Sequence, residues 1–517
     1  MRHTVAFFLI FLTLGSCISH KYPTRNLTTL RNPDKLKSDV DFAYHKLQTL
    51  HPRLYEYTPK EVLDFKFDSL KSELTTPMTS NEFYFWLAPV IAAVGQGHAL
   101  LQPLEANLSF SQKIKLASGS SPLSQYEFEK FNDKLYITRN ISGNKGIKPG
   151  TEVVTVNGID PDWLISKYRP AIPSDGFNTT FRERKLGTWF PLYYYYYRGM
   201  ADTLNCVLKF NDTLSKVTLT RPERKISLEN LKSKEQRTAE KPVREMAREK
   251  AEEQGYDPQT KTWSKNLTFT SPDSSIAILT VRDFSNGAYT DYYRKCFRML
   301  DSLKTETLIL DIRDNPGGNA PDAACLFSYL TDTGFIFHDK AEVVSKNSIT
   351  KYRYFRGNPL LINMILAVGY PMQLLQKGML LLMTQQGDDQ KYYASFPESD
   401  SARPKKKRFR GDLYVVINGG TFSAAATLAS NLKGIDRGTF VGEETGGSAN
   451  GTVAGKMALI KLPESNLWFT FGLAHIQPHY HSGLPGRGVM PDVEIKPTLQ
   501  DRINGVDPEI RWVVDHL

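Results

Sequence analysis

Cysteine is scarce in this sequence, with only four among 517 residues. Cys206, Cys296 and Cys325 are far apart, and none of them belongs to a Cys-x-x-Cys pair. A disulfide framework or a thiolate zinc site needs closely grouped cysteines. The sequence therefore predicts neither.

Long apolar runs are also missing after the amino terminus, where no stretch reaches the 18 or more residues of a typical membrane-spanning helix. At the amino terminus, a basic start precedes an apolar run over residues 4–14 and then Leu14-Gly-Ser-Cys17. This pattern predicts a secretory signal over residues 1–17. It also resembles a bacterial lipobox, so we expect an exported lipoprotein, lipidated at Cys17 and anchored on the periplasmic side of a membrane. Ordinary cleavage near the same point is the alternative.

Acidic residues are too few to balance the basic ones, which leaves a net charge of +10. Much of the excess lies in one run over residues 403–410, RPKKKRFR. Such a run is typical of nuclear import or phosphate binding. It lies between a Ser/Asp/Pro-rich segment and a strand-like one, which favours a solvated loop. Because an exported protein does not enter a nucleus, we expect no nucleic-acid partner.

The patterning along the chain changes several times. Apolar residues at helical spacing predict a helical region over residues 18–104, with capping residues for its third helix in Thr79-Ser80-Asn81-Glu82. Short β-like segments separated by Gly, Pro and Asn follow over 105–225, and a highly charged linker or helix over 226–270. Alternating strands and helices then predict an α/β core over 271–500. The whole is a multidomain α/β protein with a carboxy-terminal tail over 501–517.

One insertion interrupts the predicted core, over residues 357–410. Its apolar part, LLINMILAVGYPMQLLQKGMLLLM, is broken by Gly-Tyr-Pro and by Gln-Lys-Gly. We interpret it as a lid or wall rather than a membrane span.

Three motifs could carry chemistry. Residues 308–318, LILDIRDNPGG, run from a buried strand into a Pro-Gly-Gly turn, which leaves backbone N–H groups accessible as an oxyanion hole requires. Ser423 stands at a strand-to-helix turn before Ala-Ala-Ala, as a nucleophile would. His98 follows Gly95-Gln-Gly97 on a tight loop, where a general base can sit. Each has a structural alternative: an ordinary turn, a helix cap and a structural histidine.

The order of four segments makes a resemblance specific. LILDIRDNPGG is followed by INGGTFSAAATLASNLKG, by FVGEETGGSANG and by GRGVMPDVEI. In that order they resemble the C-terminal processing (tail-specific) serine peptidase family. Upstream, residues 146–158 resemble part of a PDZ domain, although a β-hairpin without a binding role fits the spacing too. The resemblance implies a ClpP/crotonase-like core over 271–500 and a PDZ-like domain over 105–225.

The family has two catalytic designs. One is a Ser–Lys dyad, but Ser448 stands where its lysine would be. The other resembles the tricorn core protease, in which a histidine upstream of the PDZ-like domain is the base. Gln96-Gly97-His98 matches that loop, with Gln96 in place of its usual acid.

The resemblance implies that Ser423 attacks the scissile carbonyl and that His98 accepts its proton. The oxyanion would be held by the N–H groups of Ala424 and of Gly317 or Gly318.

The group that orients His98 is open at this point. The resemblance implies a glutamate just before the segment Gly488-Val-Met-Pro-Asp492, where the family often places one, but no acid stands there in this sequence. Glu443 and Glu444 are therefore the candidates. Their alternative role is that of surface carboxylates on a loop.

The resemblance also implies a polypeptide substrate, recognised as an extended chain or through a free carboxy terminus. The missing lysine and acid keep open an alternative, a catalytically inactive member that binds peptides as a scaffold lipoprotein. A metal-dependent hydrolase using His475, His479 and His481 is disfavoured, because Gln477-Pro478 breaks any helix there and no carboxylate completes the ligands. We expect no metal and no cofactor.

Overall fold

The computed structural model describes residues 28–104, 121–199, 201–221, 256–257, 262–284, 289–352, 370–481 and 483–517. The signal peptide predicted over 1–17, with Cys17, lies outside the described residues. So do most of the charged segment predicted over 226–270 and the first part of the insertion.

The amino-terminal region consists of α1 (Pro33–Leu50), α2 (Lys60–Glu73) and α3 (Ser80–Ala92), followed by a short strand, β1 (Leu100–Gln102). A reciprocal cap fixes the start of α3. The Glu82 carboxylate accepts the N–H of Thr79, and the Thr79 hydroxyl accepts the N–H of Glu82. The predicted capping residues of the third helix are therefore present.

The next region is a five-stranded antiparallel sheet in the order β2-β3-β4-β5-β6. Its strands are β2 (Tyr126–Phe131), β3 (Lys134–Asn140), β4 (Thr151–Val156), β5 (Thr203–Phe210) and β6 (Thr213–Thr220). Between β4 and β5 lie α4 (Pro161–Tyr168), α5 (Thr180–Thr188) and α6 (Phe190–Arg198). The sheet agrees with the β-rich region predicted over 105–225, and its PDZ-like character stays a prediction.

The α/β core contains a six-stranded sheet in the order β19-β16-β15-β11-β10-β9. Its strands are β9 (Lys265–Phe269), β10 (Ile276–Val281), β11 (Thr307–Asp311), β15 (Asp412–Ile417), β16 (Thr439–Gly442) and β19 (Val493–Glu494). All neighbours are parallel except β9, which pairs antiparallel with β10. The sheet thus begins at Lys265, six residues before the predicted boundary of 271. The two-residue strands β7 (Tyr256–Asp257) and β8 (Thr262–Trp263) pair just before it.

Helices cover this sheet: α7 (Tyr289–Leu303), α8 (Ala320–Phe327) and α10 (Ala424–Gly434). Side chains of the strands and of these helices share one buried cluster, which includes Leu279, Leu310 and Val415. The strands β10 and β11 are rich in apolar residues because parallel strands are covered on both faces.

A second sheet joins the core to the amino-terminal region. It has the order β1-β18-β12-β14-β13, with β17 paired to β18. Its remaining strands are β12 (Ala341–Val343), β13 (Thr384–Gln386), β14 (Tyr392–Ala394), β17 (Thr452–Lys461) and β18 (Trp468–Ile476). In β1, Leu100 pairs with Thr470 of β18.

The described part of the insertion contains α9 (Tyr370–Leu382), β13 and β14. Its strands belong to the second sheet, so this part is a wall of the core. None of the described helices combines the length and the apolar character that a bilayer crossing requires. In the basic run 403–410, Lys407 pairs with Asp301 and Arg408 with Asp332, as expected of a solvated loop.

The predicted tail, 501–517, is mostly helical, with α11 (Leu499–Asn504) and α12 (Pro508–Asp515). Arg313 connects it to the core. Its guanidinium contacts both carboxylate oxygens of Asp311, at 2.9 and 2.8 Å, and both of Asp507, at 3.0 and 2.6 Å. Burial alone would raise the pKa of Asp311, but the guanidinium groups of Arg313 and Arg282 hold it well below its usual range.

Arg313→Ala is expected to lower the free energy of unfolding by about 3–5 kcal/mol, because it leaves a buried carboxylate at Asp311 with less compensation. Urea-induced unfolding measures this. Arg511→Ala is the matched control, since Arg511 is 70% exposed and pairs only with Asp515 among the described residues. Its effect should stay within about 0.5 kcal/mol. Equal midpoints for the two variants would contradict the structural role of Arg313.

Candidate active site

Ser423 lies between β15 and α10 in an uncommon backbone conformation, with φ 53° and ψ −125°. Its side chain makes no capping hydrogen bond, so the helix-cap interpretation does not hold. A non-glycine residue in such a conformation costs on the order of 1–3 kcal/mol and persists only where its surroundings enforce it.

The neighbouring loop enforces that conformation. The N–H of Phe422 donates to the carbonyl of Asn315 at 2.9 Å, and the Thr421 hydroxyl donates to the carbonyl of Ile312 at 2.9 Å. The loop after β11 therefore holds the loop after β15 through the two residues that precede Ser423.

His98 lies beside Ser423, although 325 residues separate them in the sequence. The imidazole Nε2 is 3.2 Å from the Ser423 Oγ. Its ring also packs on Phe422, with 4.8 Å between the ring centroids. The predicted nucleophile and the predicted base are thus within hydrogen-bond reach of each other.

Burial lowers the pKa of His98 to about 4. Removing an imidazole from water disfavours its charged form. At neutral pH the ring is therefore uncharged, which is the state that can accept a proton from a hydroxyl.

The other ring nitrogen, Nδ1, lies 3.1 Å from the Thr452 Oγ1 at the start of β17. The Thr452 hydroxyl donates to Asp175 Oδ1 at 3.1 Å. Asp175 is fully buried and also accepts the N–H groups of Gly97, at 2.7 Å, and of Ser448, at 3.2 Å. The sequence reasoning missed both Thr452 and Asp175. Asp175 lies in a turn-like segment, PSDGFN, that gives no sign of catalytic use.

Neither candidate glutamate takes this position. Glu444 pairs with Arg487, with Nε 2.9 Å from Oε1, and accepts the N–H of Gly488 at 2.7 Å. Glu443 lines a charged cleft that also contains Arg184. The structure thus corrects the assignment of Glu443 or Glu444 as the partner of His98, since Thr452 contacts the imidazole instead.

The glycine loop after β11 approaches the serine closely. Gly317 and Gly318 have φ values of +94° and +134°, which favour glycine. A Cβ on Gly317 would lie 2.7 Å from the Ser423 Cβ and 2.8 Å from the Ala424 nitrogen.

The three predicted oxyanion-hole amides are not equivalent. The N–H of Gly317 donates to the Asn315 side chain at 2.9 Å, so it is occupied. Within the described part of the chain, no hydrogen bond occupies the amide of Gly318 or of Ala424. These two are the available donors beside Ser423.

The three histidines considered as metal ligands do not form one site. His475 is buried in β18, whereas the His479 Nδ1 lies 2.6 Å from an Asp339 oxygen in the following turn. Among the described residues, no group of three or more His, Cys, Asp or Glu side chains is arranged to hold a metal ion.

The chain also matches known proteins. Residues 275–495 match the model of peptidase family S41. These residues form a family S41 domain. The match includes Ser423 and the glycine loop, whereas His98 and Asp175 precede it. The family resemblance read from the four ordered motifs is thereby confirmed.

Two solved structures of mature CPAF, one in complex with lactacystin, match almost the whole chain. Both have a TM-score of 0.58 and cover 93% of this chain. The lactacystin complex is 15% identical to this chain, which covers 97% of the CPAF chain. CPAF alone is 17% identical, and 96% of its chain is covered. At this identity the likeness shows the fold, and the predicted multidomain α/β architecture is confirmed. No curated protein matches the chain.

Gly317→Ala is expected to slow labelling of Ser423 by a fluorophosphonate about 100-fold, because the new methyl group must displace the Ser423 backbone. The rate constant of labelling is the measurement. Gly334→Ala is the matched control, since a Cβ there meets its nearest atom, the Ala402 carbonyl oxygen, at an ordinary 3.6 Å. A Gly317→Ala variant that is labelled as fast as the control would show that the glycine loop does not fix the serine.

Proposed function

We propose that this protein is a serine peptidase that hydrolyses peptide bonds through an acyl-enzyme on Ser423. The observation that carries the proposal is the 3.2 Å contact between the His98 Nε2 and the Ser423 Oγ, in a chain whose serine belongs to a family S41 domain. A nucleophile within hydrogen-bond reach of a neutral base is the arrangement that acyl transfer requires.

In the first half-reaction, the Ser423 Oγ forms a bond to the scissile carbonyl carbon while its proton moves to the His98 Nε2. The carbonyl oxygen becomes an oxyanion, and the N–H groups of Gly318 and Ala424 donate to it. The carbon–nitrogen bond then breaks as the His98 Nε2 returns the proton to the leaving amine. The products are a free amine and an acyl ester on Ser423.

In the second half-reaction, a water molecule attacks the ester carbon and the His98 Nε2 takes the water proton. The same two amides hold the second oxyanion. Collapse of this intermediate returns the proton to the Ser423 Oγ and releases a carboxylic acid. Each step uses only groups of the chain, the substrate and water.

The amino-terminal pattern extends the proposal to the location of the enzyme. The apolar run over 4–14 and Cys17 after Leu-Gly-Ser support an exported protein, held through a lipid at the envelope of a bacterial cell. Its substrates would be exported polypeptides, engaged through a free carboxy terminus by the region over 105–225.

The test is covalent labelling by a fluorophosphonate together with hydrolysis of fluorescently labelled casein. Ser423→Ala should abolish labelling, and both Ser423→Ala and His98→Ala should lower kcat by about 10⁴- to 10⁶-fold, as losses within such a unit do. Ser166→Ala and His45→Ala, which alter exposed residues, should leave both activities unchanged.

A wild-type protein that is neither labelled nor able to hydrolyse casein would contradict the peptidase. It would support the alternative, an inactive family member that binds polypeptides as a scaffold.

A further inference from the structure

The base in this site is separated from the nearest acid by a hydroxyl. The Thr452 Oγ1 lies 3.1 Å from the His98 Nδ1 and 3.1 Å from the Asp175 Oδ1. Thr452 is 6% exposed and Asp175 is fully buried, so water does not compete freely for these bonds.

The direction of the two bonds follows from the number of protons. An ionised carboxylate only accepts hydrogen bonds, and a hydroxyl has one proton to donate. Thr452 therefore donates to Asp175, which leaves the Thr452 Oγ1 as an acceptor for an N–H at the His98 Nδ1. A neutral imidazole with its proton on Nδ1 has its lone pair on Nε2, the atom that faces the Ser423 hydroxyl.

We propose that Asp175 and Thr452 are positioning residues, which together select the tautomer of His98 that can accept the Ser423 proton. The inference rests on the proposed function and adds the group that the sequence left open. Asp175 acts through Thr452 and touches no reacting atom.

Asp175 has a second connection to the base. It accepts the N–H of Gly97, the residue before His98, at 2.7 Å. The same carboxylate thus fixes the backbone that bears the imidazole and the hydroxyl that faces it. The Asp175 carboxylate also accepts the N–H of Ser448, the residue that stands where the Ser–Lys dyad has its lysine. The loop that contains Ser448 therefore helps to hold this carboxylate.

Protonation of Asp175 would reverse the direction of both hydrogen bonds, the one between Asp175 and Thr452 and the one between Thr452 and His98. A carboxylic acid can donate to the Thr452 Oγ1, whose own proton is then free to point at the His98 Nδ1. The imidazole proton would be placed on Nε2, where it cannot accept from Ser423. Burial raises the pKa of Asp175 to about 6, and the charge of Glu56 also raises it. Among the described residues, the Tyr57 side chain also interacts electrostatically with this carboxylate, and His98 lies on the other side of Thr452.

The test compares Thr452→Val, which keeps the shape and removes the hydroxyl, with Thr452→Ser, which keeps the hydroxyl. The measured quantities are the rate constant of fluorophosphonate labelling and its dependence on pH. Thr452→Val should lower the rate at pH 7.5 by about 10- to 100-fold, as loss of one hydrogen bond to a charged group does. Thr452→Ser should restore most of it. In the wild type the rate should fall as pH decreases through about 6, and Thr452→Val should lose this step.

Thr470→Val is the matched control, because Thr470 lies on the adjoining strand β18 and its buried hydroxyl has no hydrogen-bond partner among the described residues. It should be labelled at the wild-type rate. If Thr452→Val and the wild type were labelled at equal rates with equal pH profiles, the positioning role of Thr452 and Asp175 would be overturned. Labelling itself would still support the peptidase. A Thr452→Ser variant as slow as Thr452→Val would also overturn the positioning role.

A second measurement uses the wild-type protein and does not depend on how a variant folds. Nitrogen-15 NMR of histidine-labelled protein, with His98→Ala to assign the signal, reports which ring nitrogen holds the proton. We expect the proton on Nδ1 at pH 7.5. A proton on Nε2 would overturn the proposal. Absence of labelling in the wild type would instead remove the proposed function.

Discussion

The hydrogen bonds between the loop after β11 and the loop after β15 are the constraint on which the site depends. Neighbouring parallel strands end at the same edge of a sheet, so the loops that follow them meet there. Phe422 and Thr421 donate to backbone carbonyls of the other loop, and the N–H of Asp314 donates to the Asn418 side chain at 2.9 Å. These bonds offset the strain of a non-glycine residue at positive φ, and they place the glycine amides beside the serine.

The parts of the site that could be predicted are those that depend on residues close together in the sequence. An apolar run before a Gly-rich turn specifies a strand ending, which is why the loops that contain Gly317 and Ser423 were found from the sequence. The Thr79–Glu82 cap could likewise be predicted from the sequence, because its partners are three residues apart. His98 was singled out because Gly95 and Gly97 place it on a tight loop, but its role as the base was implied by the resemblance, since a lone histidine on a loop has no local signature of a base.

The parts that could not be predicted depend on contacts between distant segments. Asp175 reaches Thr452 across 277 residues, and neither lies in a pattern that indicates catalysis. Glu444 had the right charge and lay in a family motif, but Arg487 and the N–H of Gly488 take its carboxylate. Similarly, the sequence marks a glycine loop, whereas the Asn315 side chain decides that the amide of Gly318, not that of Gly317, is available. Competition for partners is a property of the folded molecule.

The short strand β1 has a consequence for how this protein would lose activity. It is three residues long, begins two residues after His98 and, among the described strands, pairs with β18 of the second sheet. The base therefore lies on the segment that links the amino-terminal helices to the second sheet, whereas the nucleophile lies in the loop after β15 of the α/β core. Detachment of that edge would separate the two groups while the core stayed folded. Inactivation by heat or denaturant would then precede unfolding of the α/β core. The remaining activity would report the fraction of molecules in which the amino-terminal region is still docked.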